Sequence, residues 1–94
     1  MTPLEVYEAA LHRATDGAAS PLLAVTHCGQ TRRFDVARWC QTVVGGDAGI
    51  VSRCLGPTLD VGCGPGRLAA AVSARGIPAL GVDVSPAAIR LTHR

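Results

Sequence analysis

Leu59-Asp60-Val61-Gly62-Cys63-Gly64-Pro65-Gly66-Arg67 runs a short apolar segment into three glycines at alternate positions, and an alanine-rich segment follows directly. The apolar run reads as a strand and Leu68-Ala69-Ala70-Ala71-Val72 as the body of a helix. Glycines between them allow a left-handed turn and remove the Cβ atoms that would hold a ligand away from the backbone. The start of the helix presents N–H groups with no intrahelical acceptor and the positive end of its dipole. The stretch therefore predicts a strand, a turn and a helix whose junction is a ligand seat made mainly of main chain.

The spacing narrows the ligand. A dinucleotide fingerprint reads G-x-G-x-x-G. Here the third glycine, Gly66, comes one residue early, Arg67 fills the fingerprint position, and Pro65 lies inside the turn. The order acid-x-Gly-x-Gly-x-Gly from Asp60 to Gly66 resembles motif I of class I S-adenosylmethionine-dependent methyltransferases. The resemblance continues through Gly81-Val82-Asp83-Val84-Ser85 to the end of the chain. It implies an α/β Rossmann-like methyltransferase fold, S-adenosyl-L-methionine as the cofactor, and methyl transfer to an acceptor that the sequence does not identify. Gly62, Cys63, Gly64 and Gly66 then form the backbone seat, with Cys63 simply a small loop residue. Asp60 helps to hold the methionine end of the cofactor, and Asp83 binds the ribose diol. No residue stands out as a catalytic base, and Arg67 falls to the surface or to the rim of the substrate site. Family domains are longer and carry more strands. The resemblance thus implies a domain truncated after its first β-α-β unit, preceded by an N-terminal helix and a β-hairpin.

Asp83 has a rationale of its own. It ends a second short apolar run, and ligands of parallel sheets bind at the C-terminal ends of the strands. A carboxylate there offers two acceptor oxygens for two hydroxyls; the plainer role is a cap for the helix that Ser85-Pro86 begins.

The rest of the chain reads in two parts, residues 1–56 and 57–94. Thr2-Pro3-Leu4-Glu5 is a helix start with a capping box, and Asp16-Gly17 is its stop. Leu22 to His27 and Thr31 to Val36 are β-prone runs joined by Cys28-Gly29-Gln30, a hairpin. On adjacent strand positions His27 and Cys28 point to opposite faces, which removes them as a catalytic pair. Trp39 is expected in the core. Val43-Val44-Gly45-Gly46 is a breaker, and Asp47 is expected to cap a short helix through about Arg53. The motif strand spans Thr58 to Val61, the crossover helix Gly66 to Arg75 with Gly76 at its C-cap, and the second strand Pro78 to Val82. A last helix from Ser85 carries Ile89 and Leu91 to Arg94.

Composition bounds what remains. The chain has 94 residues, 48% of them hydrophobic, with a net charge of +2. All of its basic residues other than histidine are arginines. His27, Arg32, Arg33 and Arg38 make one basic cluster, read as a solvated strand face; a rim for an acidic substrate or for nucleic acid is the weaker alternative. Cys28, Cys40, Cys54 and Cys63 include no C-x-x-C pair, which fits reduced thiols in the cytoplasm and no metal site. No apolar run approaches the length of a membrane span, and the acidic N-terminus does not read as a signal peptide. The expected partner is a small-molecule acceptor. An uncovered strand, Ala79 to Val82, is a template for self-association, and the residues alone are expected to be inactive. Two competing readings stay open: an NAD(P)-binding oxidoreductase fragment, disfavoured by Pro65 and Arg67, and a non-catalytic fragment.

Overall fold

The computed structural model describes residues 1–41 and 45–92. Val43 and Val44 of the expected breaker, and the helix end at Arg94, lie outside the described residues. Two compact units divide the chain, Met1–Cys40 and Gln41–Arg94.

The first unit begins with α1, Pro3–Thr15. Its capping box is fully formed: the Glu5 N–H donates to Thr2 Oγ1 at 3.2 Å, and the Thr2 N–H donates to Glu5 Oε2 at 2.8 Å. Asp16 is the C-cap, and Gly17 follows with a φ of 80°. Strands β1, Pro21–Val25, and β2, Thr31–Asp35, form the antiparallel hairpin, in register from Pro21 opposite Asp35 to Val25 opposite Thr31. The turn closes through the Thr26 N–H to the Gln30 carbonyl and the Gly29 N–H to the Thr26 carbonyl. His27 and Cys28 therefore sit in the turn rather than on a strand. The pairing ends two residues before His27 because Thr26 turns its hydroxyl and carbonyl inward to bond Gln30 and Gly29.

Asp35 ends β2 and caps a single turn, α2, Val36–Trp39, through its carboxylate and the Ala37 N–H at 3.2 Å. The aromatic rings of the sequence meet here. Trp39 lies 6.2 Å from Tyr7 and 6.2 Å from Phe34 between ring centroids, tilted by 54° and 48°, within the range of favourable aromatic pairs. Leu11, Ala10 and Val36 are buried beside them, and Trp39 is half-buried.

The second unit opens with α3, Asp47–Val51, whose N-cap is Gly46 at a φ of 91°. Asp47 is thus the first helical residue, not the cap. The helix also stops before Arg53, and the unit boundary groups it with the β-α-β elements rather than with residues 1–56. Strand β3, Thr58–Val61, leads through the glycine loop into α4, Arg67–Ala74, then β4, Ala79–Val82, and α5, Pro86–Thr92. Strands β3 and β4 are parallel, Thr58 opposite Ala79 through to Val61 opposite Val82.

Alternation along both strands sorts their side chains. One face, with Thr58, Asp60, Ala79 and Gly81, is half-buried, and α4 packs on the sheet through its alanines and Val72. The other face carries Leu59, Val61, Leu80 and Val82, which are 39–75% exposed. Parallel sheets are ordinarily covered on both faces, which is why this face too is apolar. In α5 it is Ala87 and Ala88 that are fully buried, while Ile89 and Leu91 are only half-buried.

Candidate cofactor site

The parallel register places two loops side by side at the C-terminal ends of β3 and β4. The carbonyl of Val82 accepts the N–H of Gly62 at 2.8 Å and that of Cys63 at 3.0 Å. The loop then turns over Asp83: the Gly64 N–H donates to Asp83 Oδ2 at 2.9 Å. The Gly66 N–H donates to the Cys63 carbonyl at 3.1 Å, closing the turn. Gly62, Gly64 and Gly66 all have left-handed backbones, with φ of 76°, 56° and 92°. For Gly66 there is a second requirement. A Cβ there would lie 2.8 Å from Thr92 Cγ2 and 3.1 Å from the Thr92 backbone, closer than side chains pack.

These bonds occupy the donors of the loop itself. The loop does not offer a row of open N–H groups, because Val82, Asp83 and Cys63 accept them. The open donors lie one step further on. The first bond of α4 runs from the Ala70 N–H to the Gly66 carbonyl, so the N–H groups of Arg67, Leu68 and Ala69 have no intrahelical acceptor.

Asp83 serves the plainer of its two expected roles, the helix cap, and also holds the loop. Oδ1 accepts the Ser85 N–H at 2.9 Å and so shapes the start of α5, where Ser85 Oγ in turn accepts the Ala88 N–H at 3.1 Å. Each carboxylate oxygen has two lone-pair sites, and one main-chain bond on each leaves a second. Asp60 is half-buried on β3 opposite Gly81. Among the described residues its carboxylate makes no hydrogen bond or ion pair, which leaves it available to a cationic group.

Cys63 fills the space that Gly81 leaves empty. A Cβ on Gly81 would lie 2.7 Å from Cys63 Sγ. Burial pushes the Cys63 thiol up from its ordinary pKa, the Thr92 hydroxyl opposes this, and the negative charges of Asp60 and Asp83 add to the rise. The rise leaves less of the thiol as thiolate, the form that acts as nucleophile or metal ligand. Among the described residues no cluster of three or more metal-ligating side chains occurs.

Arg67, expected at the surface or at a substrate rim, is instead engaged in an ion pair. Its Nη2 donates to Asp47 Oδ1 at 3.3 Å, and its Nε lies 3.0 Å from Oδ2 with the N–H turned off the oxygen. Side-chain exposure is 20% for Arg67 and 6% for Asp47. An arginine on the first residue of a helix faces an unfavourable dipole, and the carboxylate of α3 compensates it. No local signal marks this pair, whose members lie on different helices. In the other unit, Arg32 and Arg33 are exposed on successive positions of β2 and so point to opposite faces, which divides the expected basic cluster.

Comparison with known proteins agrees with this geometry. Residues 59–94 match the family model described as a methyltransferase domain. This segment is similar to that family's domain. It holds the glycine loop, α4, β4, Asp83 and α5, which are the elements that converge on the site. The whole chain resembles a solved structure, a SAM-dependent methyltransferase from Bacteroides fragilis in complex with S-adenosyl-L-homocysteine, with a TM-score of 0.78 at 20% sequence identity. The likeness covers 99% of this chain and 41% of that one, and it establishes the Rossmann-like α/β fold. No curated protein sequence is close enough to register as a relative.

Proposed function

We propose that this chain supplies the methionine- and ribose-binding part of an S-adenosyl-L-methionine-dependent methyltransferase acting on a small-molecule acceptor. The observation that carries the reading is the bond from the Gly64 N–H to Asp83 Oδ2, 2.9 Å, which joins the glycine loop to the strand-end acid. The residues fit such a cofactor. The remaining lone pairs of Asp83 suit a vicinal diol, since its two oxygens are each steadied by one main-chain N–H. The unengaged carboxylate of Asp60 suits an α-ammonium group. The open N–H groups at the start of α4, with the positive end of the helix dipole, suit an α-carboxylate.

S-adenosyl-L-methionine supplies the electrophilic methyl group on a sulfonium, transferred by in-line displacement. The contribution of this chain is position and electrostatics: a seat built before the ligand arrives, in which the loop N–H groups are committed to holding shape. The chain spans 41% of the matched structure, and the acceptor pocket and any base belong to the reading of the whole enzyme. Cytoplasmic placement is part of the same proposal, supported by four free cysteines and, among the described residues, by no helix long and apolar enough to cross a membrane.

Calorimetric titration of the full-length gene product separates this reading from the dinucleotide alternative. Saturable 1:1 binding of S-adenosyl-L-homocysteine with no heat from NAD is the expected result. Binding of NAD alone would overturn it.

A further inference from the structure

The last turn of α5 reaches the glycine loop through one side chain. Thr92 Oγ1 lies 3.1 Å from the carbonyl oxygen of Gly64 and 3.1 Å from that of Ala88. The Ala88 contact is the back-bond that a helical threonine makes to its own preceding turn. The Gly64 contact has no such local cause, because it joins residues 28 apart in sequence. Cys63 Sγ lies 3.9 Å from the same hydroxyl, and the Thr92 methyl occupies the space that a side chain on residue 66 would need.

The importance of the Gly64 carbonyl follows from its neighbours. Gly64 has a φ of 56°, a left-handed conformation in which it has no side chain to restrain its flanking peptide planes. The plane before it is held from outside, since its N–H donates to Asp83. The plane after it ends in Pro65, which has no N–H to donate. That plane can be held only through the Gly64 carbonyl. Two donors reach this oxygen: the Thr92 hydroxyl at 3.1 Å and the weaker thiol of Cys63 at 3.4 Å.

We propose that Thr92 is a positioning residue for the cofactor seat, its hydroxyl fixing the Gly64–Pro65 peptide plane while its methyl sets the closeness of the loop to α5. Asp83 and Thr92 thus clamp Gly64 from its two sides. The effect on ligand affinity rests on the cofactor reading above; the effect on the loop does not.

The test uses the full-length gene product with Thr92→Val, which keeps the shape and removes the hydroxyl, and Thr92→Ser, which keeps the hydroxyl. Thr92→Ala, which adds no bulk beside Gly66, repeats the measurement should valine distort the turn. Amide hydrogen exchange of the ligand-free protein is read at Gly64 and Gly66, with β3 and β4 as internal controls, and S-adenosyl-L-homocysteine is then titrated. Thr92→Val should raise exchange at the two glycines by about three- to tenfold, the worth of one ordinary hydrogen bond. It should weaken binding by a similar factor, with β3 and β4 unchanged, and Thr92→Ser, which loses only the methyl, should lie closer to wild type than Thr92→Val in both. Wild-type exchange at Gly64 and Gly66 in Thr92→Val and Thr92→Ala, or an equal rise through β3 and β4, would overturn the proposal and leave Thr92 as a helix end. A wild-type protein that does not bind S-adenosyl-L-homocysteine would defeat the cofactor reading, while the exchange data still decide the role of Thr92.

Discussion

Asp83 and Gly64 are joined by a 2.9 Å hydrogen bond from the glycine N–H to the carboxylate Oδ2, and the same carboxylate receives Ser85 through Oδ1. One acid therefore shapes the loop after β3 and the helix after β4. Asp83→Ala should weaken binding of S-adenosyl-L-homocysteine by about 1.5–3 kcal/mol, the usual loss for a hydrogen bond to a charged group. Calorimetry on the full-length protein measures it. Unchanged affinity would reduce Asp83 to a helix-capping residue.

Ser85 is the control for that experiment. Its hydroxyl caps α5 by accepting the Ala88 N–H at 3.1 Å. Ser85→Ala should cost about 1 kcal/mol of folding stability, the typical worth of an N-cap. Affinity for S-adenosyl-L-homocysteine should remain at the wild-type value. Denaturant unfolding and calorimetry on the same preparation separate the two quantities.

The Asp47–Arg67 pair sets a second energetic test. Asp47→Ala leaves a largely buried guanidinium beside a helix N-terminus with no counter-charge. The loss should approach the roughly 3–5 kcal/mol seen when one partner of a buried pair is removed. The apolar double variant Asp47→Leu/Arg67→Met should be less destabilised than Asp47→Ala, because neither charge is then left alone. Urea unfolding decides it; a double variant less stable than the single one contradicts the account.

Much of this architecture is legible in the sequence because its causes are local. Thr2 and Glu5 announce α1 through a capping box, Gly29 turns the hairpin, and Ser85-Pro86 starts α5, each within one turn of chain. The bounds of β3 follow from the apolar run and the glycines that end it. What could not be read depends on tertiary distance. Asp47 looks like an N-cap until Arg67 is placed beside it by the packing of α3 on α4. Thr92 is an unremarkable helical residue until α5 folds back over the loop. The glycines predict a main-chain seat, and only the parallel register shows that Val82 and Asp83 accept the N–H groups of the loop. His27 was expected on a strand because Thr26, which ends the pairing through its own hydroxyl, is itself a good strand former.

Cys63 offers a test of the loop that needs no ligand. Its thiol is half-buried and its pKa is raised, so at a given pH less of it is the reactive thiolate. At neutral pH iodoacetamide should label the exposed Cys28 well before Cys63, and Cys63 should become reactive only as the pH rises into the alkaline range. Peptide mass mapping of the alkylated protein reads both sites. Labelling of Cys63 as fast as Cys28 at neutral pH would show a loop more open than described.

The central claim is that residues 62–66 and Asp83 form one preassembled cofactor seat. Its most direct test is a titration of the ¹⁵N-labelled full-length protein with S-adenosyl-L-homocysteine, followed amide by amide. The account predicts that Gly62, Cys63, Gly64, Gly66 and Asp83 shift together along one saturable binding curve, with the hairpin turn from Thr26 to Gln30 unmoved. Saturable binding that leaves Gly64 and Asp83 in place, or no binding at all, would contradict it.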